Sequence, residues 1–206
     1  MRTQFGWADS DSKFIIGDRE ISKDGIFHSP PSSTTKGIAA LLNPKGSLEK
    51  WKEVFNLYGR KGLEPHAFGA LTAFGAPLLG FLGQSGALIN LINPGSGQGK
   101  STVLHMCNSV YGHPKDLCFK QDDTLNGKIQ KLGIFNTLPA TFDEMTSIRP
   151  ADLSTLMYSI STGVGKDRMK QSSNELRENN TRWNLLALCS SNASFYDKLA
   201  TLKDSP

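Results

Sequence analysis

A chain of 206 residues with a formal net charge of +4, 38% hydrophobic and 20% charged residues has the composition of a soluble globular protein with one sizeable core. The mild positive surplus permits a nucleic-acid partner without requiring one. Three widely spaced cysteines, Cys107, Cys118 and Cys189, exclude a disulfide framework and a zinc-ligand cluster and point to a reducing cytosol.

The first residues, MRTQFGWADSDSKF, lack the apolar centre of a signal peptide. Up to residue 34 the pattern predicts short strands and turns, with KFIIGDREI and GIFHSP interrupted by Gly17 and Gly25. HSPPSSTTKG reads as a loop stiffened by Pro30 and Pro31. GSLEKWKEVFNLYG predicts a helix capped by Ser47, with Leu48, Trp51, Val54, Phe55 and Tyr58 on one face and Gly59 as its stop. Ala67–Gly83 carries no charge. It falls short of the roughly 20 apolar residues of a membrane span and is glycine-rich, so a buried helix is expected, opened by Pro65 and kinked or split at Pro77.

From Ala87 the style changes. ALINLI predicts a buried strand, NPGSGQGKST follows at once, and STVLHMCNSVYG places Val103, Leu104, Cys107, Val110 and Tyr111 at helical spacing before Gly112. Strand, glycine-rich loop and helix are the context of a phosphate-binding loop, although Pro94 stands where the usual pattern has its first glycine. Such a loop aims backbone N–H groups at phosphate from a helix N-terminus. Gly95, Ser96, Gly97, Gln98, Gly99, Lys100, Ser101 and Thr102 are therefore the expected ATP-binding residues, with Lys100 on the β- and γ-phosphates and Ser101 on Mg²⁺. An ordinary glycine-rich turn is the plainer alternative.

A partner acidic pair is then expected at a strand end. Leu138–Phe142 leads into Asp143, a Mg²⁺ ligand on this reading, and Glu144, a general base for water. ADLSTLMYSI predicts a helix with Leu153, Leu156, Met157 and Ile160 inward. Beyond it Lys166, Arg168 and Lys170 alternate after Gly163 and Gly165, a spacing that fits a hairpin gripping a nucleic-acid phosphate backbone and equally a solvated surface. Asn184–Cys189 reads as a further buried strand, followed by Ser190, Ser191 and Asn192. A polar side chain there orients the attacking water; Asn192 is the first candidate, Ser191 the second.

In sequence and order, GSLEKWK, FGAPLLGFLG, GQGKSTVLHMCNSVYGHP, LPATFDEM, YSISTGVGKDR and LLALCSSN resemble the ATPase family of phage and prophage primase–helicases, close to ring-forming superfamily III helicases. The likeness runs from Phe5 to Ser194. It implies an α/β fold: a P-loop NTPase core of RecA/AAA-like type over residues 85–206, behind a β-rich appendage and helical collar over 1–84. It also implies Mg–ATP hydrolysis, a homo-oligomeric and usually hexameric ring on single-stranded DNA, a primase or polymerase domain as partner, no membrane, and the cytosol of a bacterial host. By position, Lys100, Ser101, Asp143, Glu144 and Asn192 match the family's working residues, and Lys166 and Arg168 its DNA or neighbour contacts. Only ASFYDKLATLKDSP follows Asn192, so the core is expected to continue beyond Pro206 to supply a trans-acting arginine. Two other readings stay open: an AAA-type initiator or helicase loader, and a nucleotide-binding scaffold without turnover.

Overall fold

The structure is a computed structural model, described for residues 2–165, 168–169, 176–177 and 181–202. Its N-terminal part is an antiparallel meander of β1 (Gly6–Ala8), β2 (Lys13–Ile16), β3 (Arg19–Ser22) and β4 (Gly25–His28). Three consecutive residues, Asp9, Ser10 and Asp11, adopt left-handed backbone angles to turn β1 into β2, a conformation that short polar side chains tolerate best. The meander is tied to the rest of the chain. Asn136 Nδ2 donates to the carbonyls of Phe5 and Trp7 at 3.0 and 2.9 Å, and Thr137 Oγ1 accepts from Trp7 N–H. Gly6 lies so close to Thr137 that a Cβ would sit 2.0 Å from its hydroxyl. Phe5 and Ile15 are buried in the same hydrophobic cluster as Leu132, Phe142 and Leu156.

Next come α1 (Lys36–Ala39) and α2 (Leu48–Asn56), the latter capped by the Ser47 hydroxyl as expected. The predicted inward face of α2 is not buried: Leu48 is 58% and Val54 50% exposed. The helix is anchored by aromatic contacts instead. Trp51 stacks on Phe55, Phe55 meets the Phe74 edge, and Trp51 Nε1 donates to Ser109 Oγ at 2.7 Å. Tyr58 falls past the helix, in a 3₁₀ turn.

α3 (Glu64–Gly75) carries Pro65 in its first turn and passes at Ala76–Pro77 into a 3₁₀ segment ending at Leu82. The predicted split is therefore present; full burial is not. Gly69, Ala70, Thr72, Ala73, Ala76 and Pro77 form the buried face, because small residues let the helix approach its neighbour closely. Phe68, Leu71, Leu78, Phe81 and Leu82 are exposed. The stretch Glu64–Leu82 is long and apolar enough to cross a membrane by length and composition alone.

The central sheet is parallel, in the order β5 (Gly86–Ile92), β9 (Leu185–Ser191) and β6 (Ala140–Phe142). A single parallel bridge from Phe119 to Phe142 extends it on the β6 side. Alternate residues of β9 face two different cores, as the strand period requires. Leu185, Ala187 and Cys189 join the large cluster that also contains the meander. Leu188 joins a smaller one with Val103, Leu104 and Cys107 of α4 (Lys100–Ser109) and Ala73 of α3. The larger core takes in α5 (Leu125–Phe135) and α6 (Pro150–Thr162). In α6 Leu153, Leu156 and Ile160 are buried as expected and Met157 partly so. The last elements are a two-residue ladder of β7 (Arg168–Met169) with β8 (Leu176–Arg177), and α7 (Phe195–Leu199).

Candidate functional site

Parallel strands carry their C-terminal ends to one edge of the sheet, so the loops after β5, β6 and β9 converge there. The loop after β5 begins with an Asx turn: the Asn93 side chain accepts from Gly95 N–H at 2.8 Å. Pro94 lies inside that turn, where it has no N–H to satisfy. Gly97 and Gly99 adopt φ of +71° and +80°, angles that suit glycine. Gly95, by contrast, has no positive φ and adds no special freedom. Gly99 is the N-cap of α4 and no side chain caps the helix, so its leading N–H groups face outward without a capping partner.

Lys100 is half-buried and folded back on the loop, its Nζ donating to the carbonyls of Asn93 at 2.6 Å and Gly95 at 3.0 Å. Ser101 turns the other way and donates to Asp143 Oδ1 at 3.0 Å, across 42 residues of sequence. Ser96, Gln98 and Thr102 are exposed beside them.

Asp143 follows β6 directly, and a single oxygen, Oδ1, accepts from Ser101 Oγ, from Ser190 Oγ at 2.5 Å and from Glu144 N–H at 3.1 Å. Glu144 stands in the left-handed region at φ +53°, unusual for a non-glycine residue. Its N–H also meets Ser190 Oγ at 2.9 Å, and its exposed carboxylate accepts from Asn192 Nδ2 at 3.5 Å. Asn192 is itself positioned by its backbone N–H, which donates to Thr146 Oγ1 at 2.8 Å. Lys198 of α7 donates to the carbonyls of Thr146 and Ile148, which fixes the loop behind the acidic pair.

Of the residues expected here, Lys100, Ser101, Asp143, Glu144 and Asn192 converge. Ser191 does not: it lies in β9, buried, and pairs with Asn90 of β5. The strand runs two residues further than its hydrophobicity suggests, so Ser190 and Asn192 share the face toward the acidic pair and Ser191 takes the opposite one. Ser190 was missed for that reason, although a serine alternating with Asn192 was a readable signal. His66 of α3 was missed as well. Its Nε2 donates to the Gln98 carbonyl at 2.8 Å and lies 3.2 Å from where a Cβ on Gly99 would stand, so it braces the loop from outside. Arg168 pairs with Arg177 in the short ladder, while Lys166 and Lys170 lie outside the described residues.

A cavity of about 490 Å³ opens on the other side of the acidic pair, toward Lys120, Lys128 and Arg149. Lys128 is buried, and burial holds its ammonium below the usual lysine range while Gln121 O accepts from it at 2.9 Å. Among the described residues no cluster of three His, Cys, Asp or Glu side chains could hold a metal by itself.

A solved structure described as an active helicase, SCCmec type IV Cch, has the same fold, with a TM-score of 0.68 at 21% identity over 95% of this chain. The chain spans 37% of that protein's length. No curated protein matches the sequence. Residues 1–181 match the family described as domain of unknown function DUF927. The chain belongs to that family.

Proposed function

We propose that this chain is the ATP-hydrolysing motor of a DNA helicase of the phage primase–helicase type, built on a P-loop NTPase core. The observation that carries the reading is the contact of Ser101 with Asp143 at 3.0 Å. It joins the start of the helix after a glycine-rich loop to an acidic pair on a strand that is not its neighbour. The strand between them, β9, brings Ser190 and Asn192 to the same place. The likeness in fold to a solved helicase supports the same reading.

The residues present fit Mg–ATP. The uncapped N–H groups at the start of α4, with Gly97 and Gly99 free of Cβ atoms, suit a phosphate group, and Ser101 and Asp143 are the hard oxygen donors that Mg²⁺ prefers. When bound, Mg–ATP would supply its γ-phosphoryl group to water, with ADP as the leaving group and inorganic phosphate as the other product. Lys100, whose Nζ now donates to two loop carbonyls, would hold the phosphate oxygens, and leaving those carbonyls would break no buried charge pair. Glu144 takes the proton of the attacking water, and Asn192 fixes the orientation of its carboxylate. Single-stranded DNA, a homo-oligomeric ring and a primase or polymerase domain are the partners this reading calls for, with Lys166, Arg168 and Lys170 as candidate DNA contacts.

The test separates binding from chemistry. Lys100→Ala is expected to lose nucleotide binding by about 100-fold, and Glu144→Gln to keep it while turnover falls by about 100-fold or more. Unaltered nucleotide affinity in Lys100→Ala would sink the assignment. A chain that binds nucleotide but releases no phosphate at saturating single-stranded DNA is a scaffold. Hydrolysis without strand displacement by the full-length protein marks a loader.

A further inference from the structure

We propose that the groove between the meander and α2 is a docking site for an acidic, apolar peptide segment of a partner protein. The groove encloses about 950 Å³, and Ile16, Ile21, Leu41, Leu48, Trp51 and Val110 give it an apolar lining. Arg19 stands in the same wall. Its Nε is shut off from solvent with no hydrogen-bond partner, and none of the ion pairs among the described residues includes it. No Asp or Glu lines the groove. Its other cationic groups are Lys45 and His113, and the latter faces Asp116 at 3.1 Å. Arg19 is half-buried, and no side-chain acceptor or ion-pair partner meets its guanidinium among the described residues, so its terminal nitrogens are available to an incoming carboxylate and charge complementarity selects an acidic occupant.

The shape selects a peptide. Arg19 and Ile21 are two residues apart on one face of β3, with Ile16 across from Arg19 and Ile26 across from Ile21. Leu48, in the lining, is 58% exposed, and Ile26, outside the lining, is 66% exposed, so the apolar strip continues beyond the groove on the β4 side. An occupant confined to the cavity leaves Ile26 uncovered. A segment presenting Leu or Phe side chains with flanking carboxylates covers the strip and reaches Arg19. Residues 109–114, at the C-terminal end of α4, line this groove, whereas the glycine-rich loop sits at the helix's start. The proposal therefore stands or falls independently of nucleotide binding.

The experiment is fluorescence anisotropy with a labelled synthetic peptide in which Leu and Phe alternate with Asp and Glu, beside the same peptide with Lys in place of every acid. The acidic peptide is expected to bind saturably and the basic one at least about tenfold more weakly. Arg19→Gln is expected to weaken the acidic peptide by about tenfold without changing the thermal melt, and the exposed-site change Leu48→Asp to weaken it comparably. Equal binding of the two peptides, or undiminished binding to Arg19→Gln and Leu48→Asp, overturns the proposal. Competition by 4-phenylbutyrate at an affinity matching the peptide's overturns it in favour of a small carboxylate. Self-association of the free protein that Leu48→Asp abolishes overturns it in favour of a second copy of this chain.

Discussion

Ser190 donates its hydroxyl to Oδ1 of Asp143 at 2.5 Å and accepts the N–H of Glu144 at 2.9 Å, so one side chain at the end of β9 holds the Asp143 carboxylate and the Glu144 backbone just after β6. A carboxylate that is to hold a cation needs such an outer partner, because a freely rotating one pays conformational entropy on binding. Ser190→Ala is therefore expected to weaken Mg²⁺-dependent nucleotide affinity by about tenfold while Mg²⁺-free affinity stays within about twofold. Isothermal titration with and without Mg²⁺ measures both. Equal loss in the two conditions would place Ser190 in the support of the loop rather than of the proposed cation ligand, Asp143.

His66 acts on the loop from the opposite side. Its ring runs nearly parallel to Tyr58 and its Nε2 donates to the Gln98 carbonyl, which holds the peptide between Gln98 and Gly99 in one orientation. Removal of the brace frees a loop rich in glycine, whose ordering must then be supplied by the ligand. His66→Ala is expected to raise the nucleotide dissociation constant about three- to tenfold, with His66→Gln recovering part of the loss through its own side-chain N–H. No recovery, or an unchanged constant, would remove His66 from this role.

The three cysteines are buried and unpaired. Burial pushes the Cys107 thiol up to about 11 and raises those of Cys118 and Cys189 as well, because a thiolate cannot be solvated there. A raised value keeps each group protonated below it, so at about pH 8 thiolate is scarce in the folded protein and normal in the unfolded chain. Ellman's reagent should leave the native protein almost unlabelled over a period in which the urea-unfolded chain reacts at all three sites. Rapid native labelling of Cys107 contradicts the packing of α4 against α3.

Much of the candidate site was legible in the sequence because its residues are grouped locally. Gly97, Gly99, Lys100 and Ser101 occur in one loop, and Asp143 with Glu144 in one strand end. What the sequence hid was set by contacts between distant segments. β9 continues through Ser190 and Ser191 because their hydroxyls find Asp143 and Asn90, partners 47 and 101 residues away. The uncharged stretch Ala67–Gly83 reads as a buried helix on composition, yet only its small residues are covered, since α4 offers one face to pack on. In α2 the periodic positions Leu48 and Val54 stay exposed because the aromatic residues between them make the contact. The helix Leu125–Phe135 left its own signals, a Thr124 cap and buried Ile129, Leu132 and Phe135 at helical spacing. Two glycines and two lysines within it mask that periodicity.

Glycine positions give the most direct check on how β5 is seated. A Cβ on Gly86 would stand 2.0 Å from the Ile160 carbonyl oxygen and 2.9 Å from its carbon, a distance no side-chain rotation relieves because the obstacle is the backbone of α6. Gly86→Ala must therefore push the first residue of β5 away from α6, breaking its register beside Leu185 at the edge of the main core. The cost is expected to be about 3 kcal/mol or more, read as a fall in Tm of roughly 6–12 °C. Gly37, in α1, has nothing within 4 Å of the added carbon and no positive φ, so Gly37→Ala is expected to be neutral or to stabilise by up to about 1 kcal/mol through the unfolded chain. Paired melting curves of the two variants measure the difference directly. If Gly86→Ala melts with the parent protein, β5 does not lie against the last turn of α6, and the loop that follows the strand is not held where Ser101 meets Asp143.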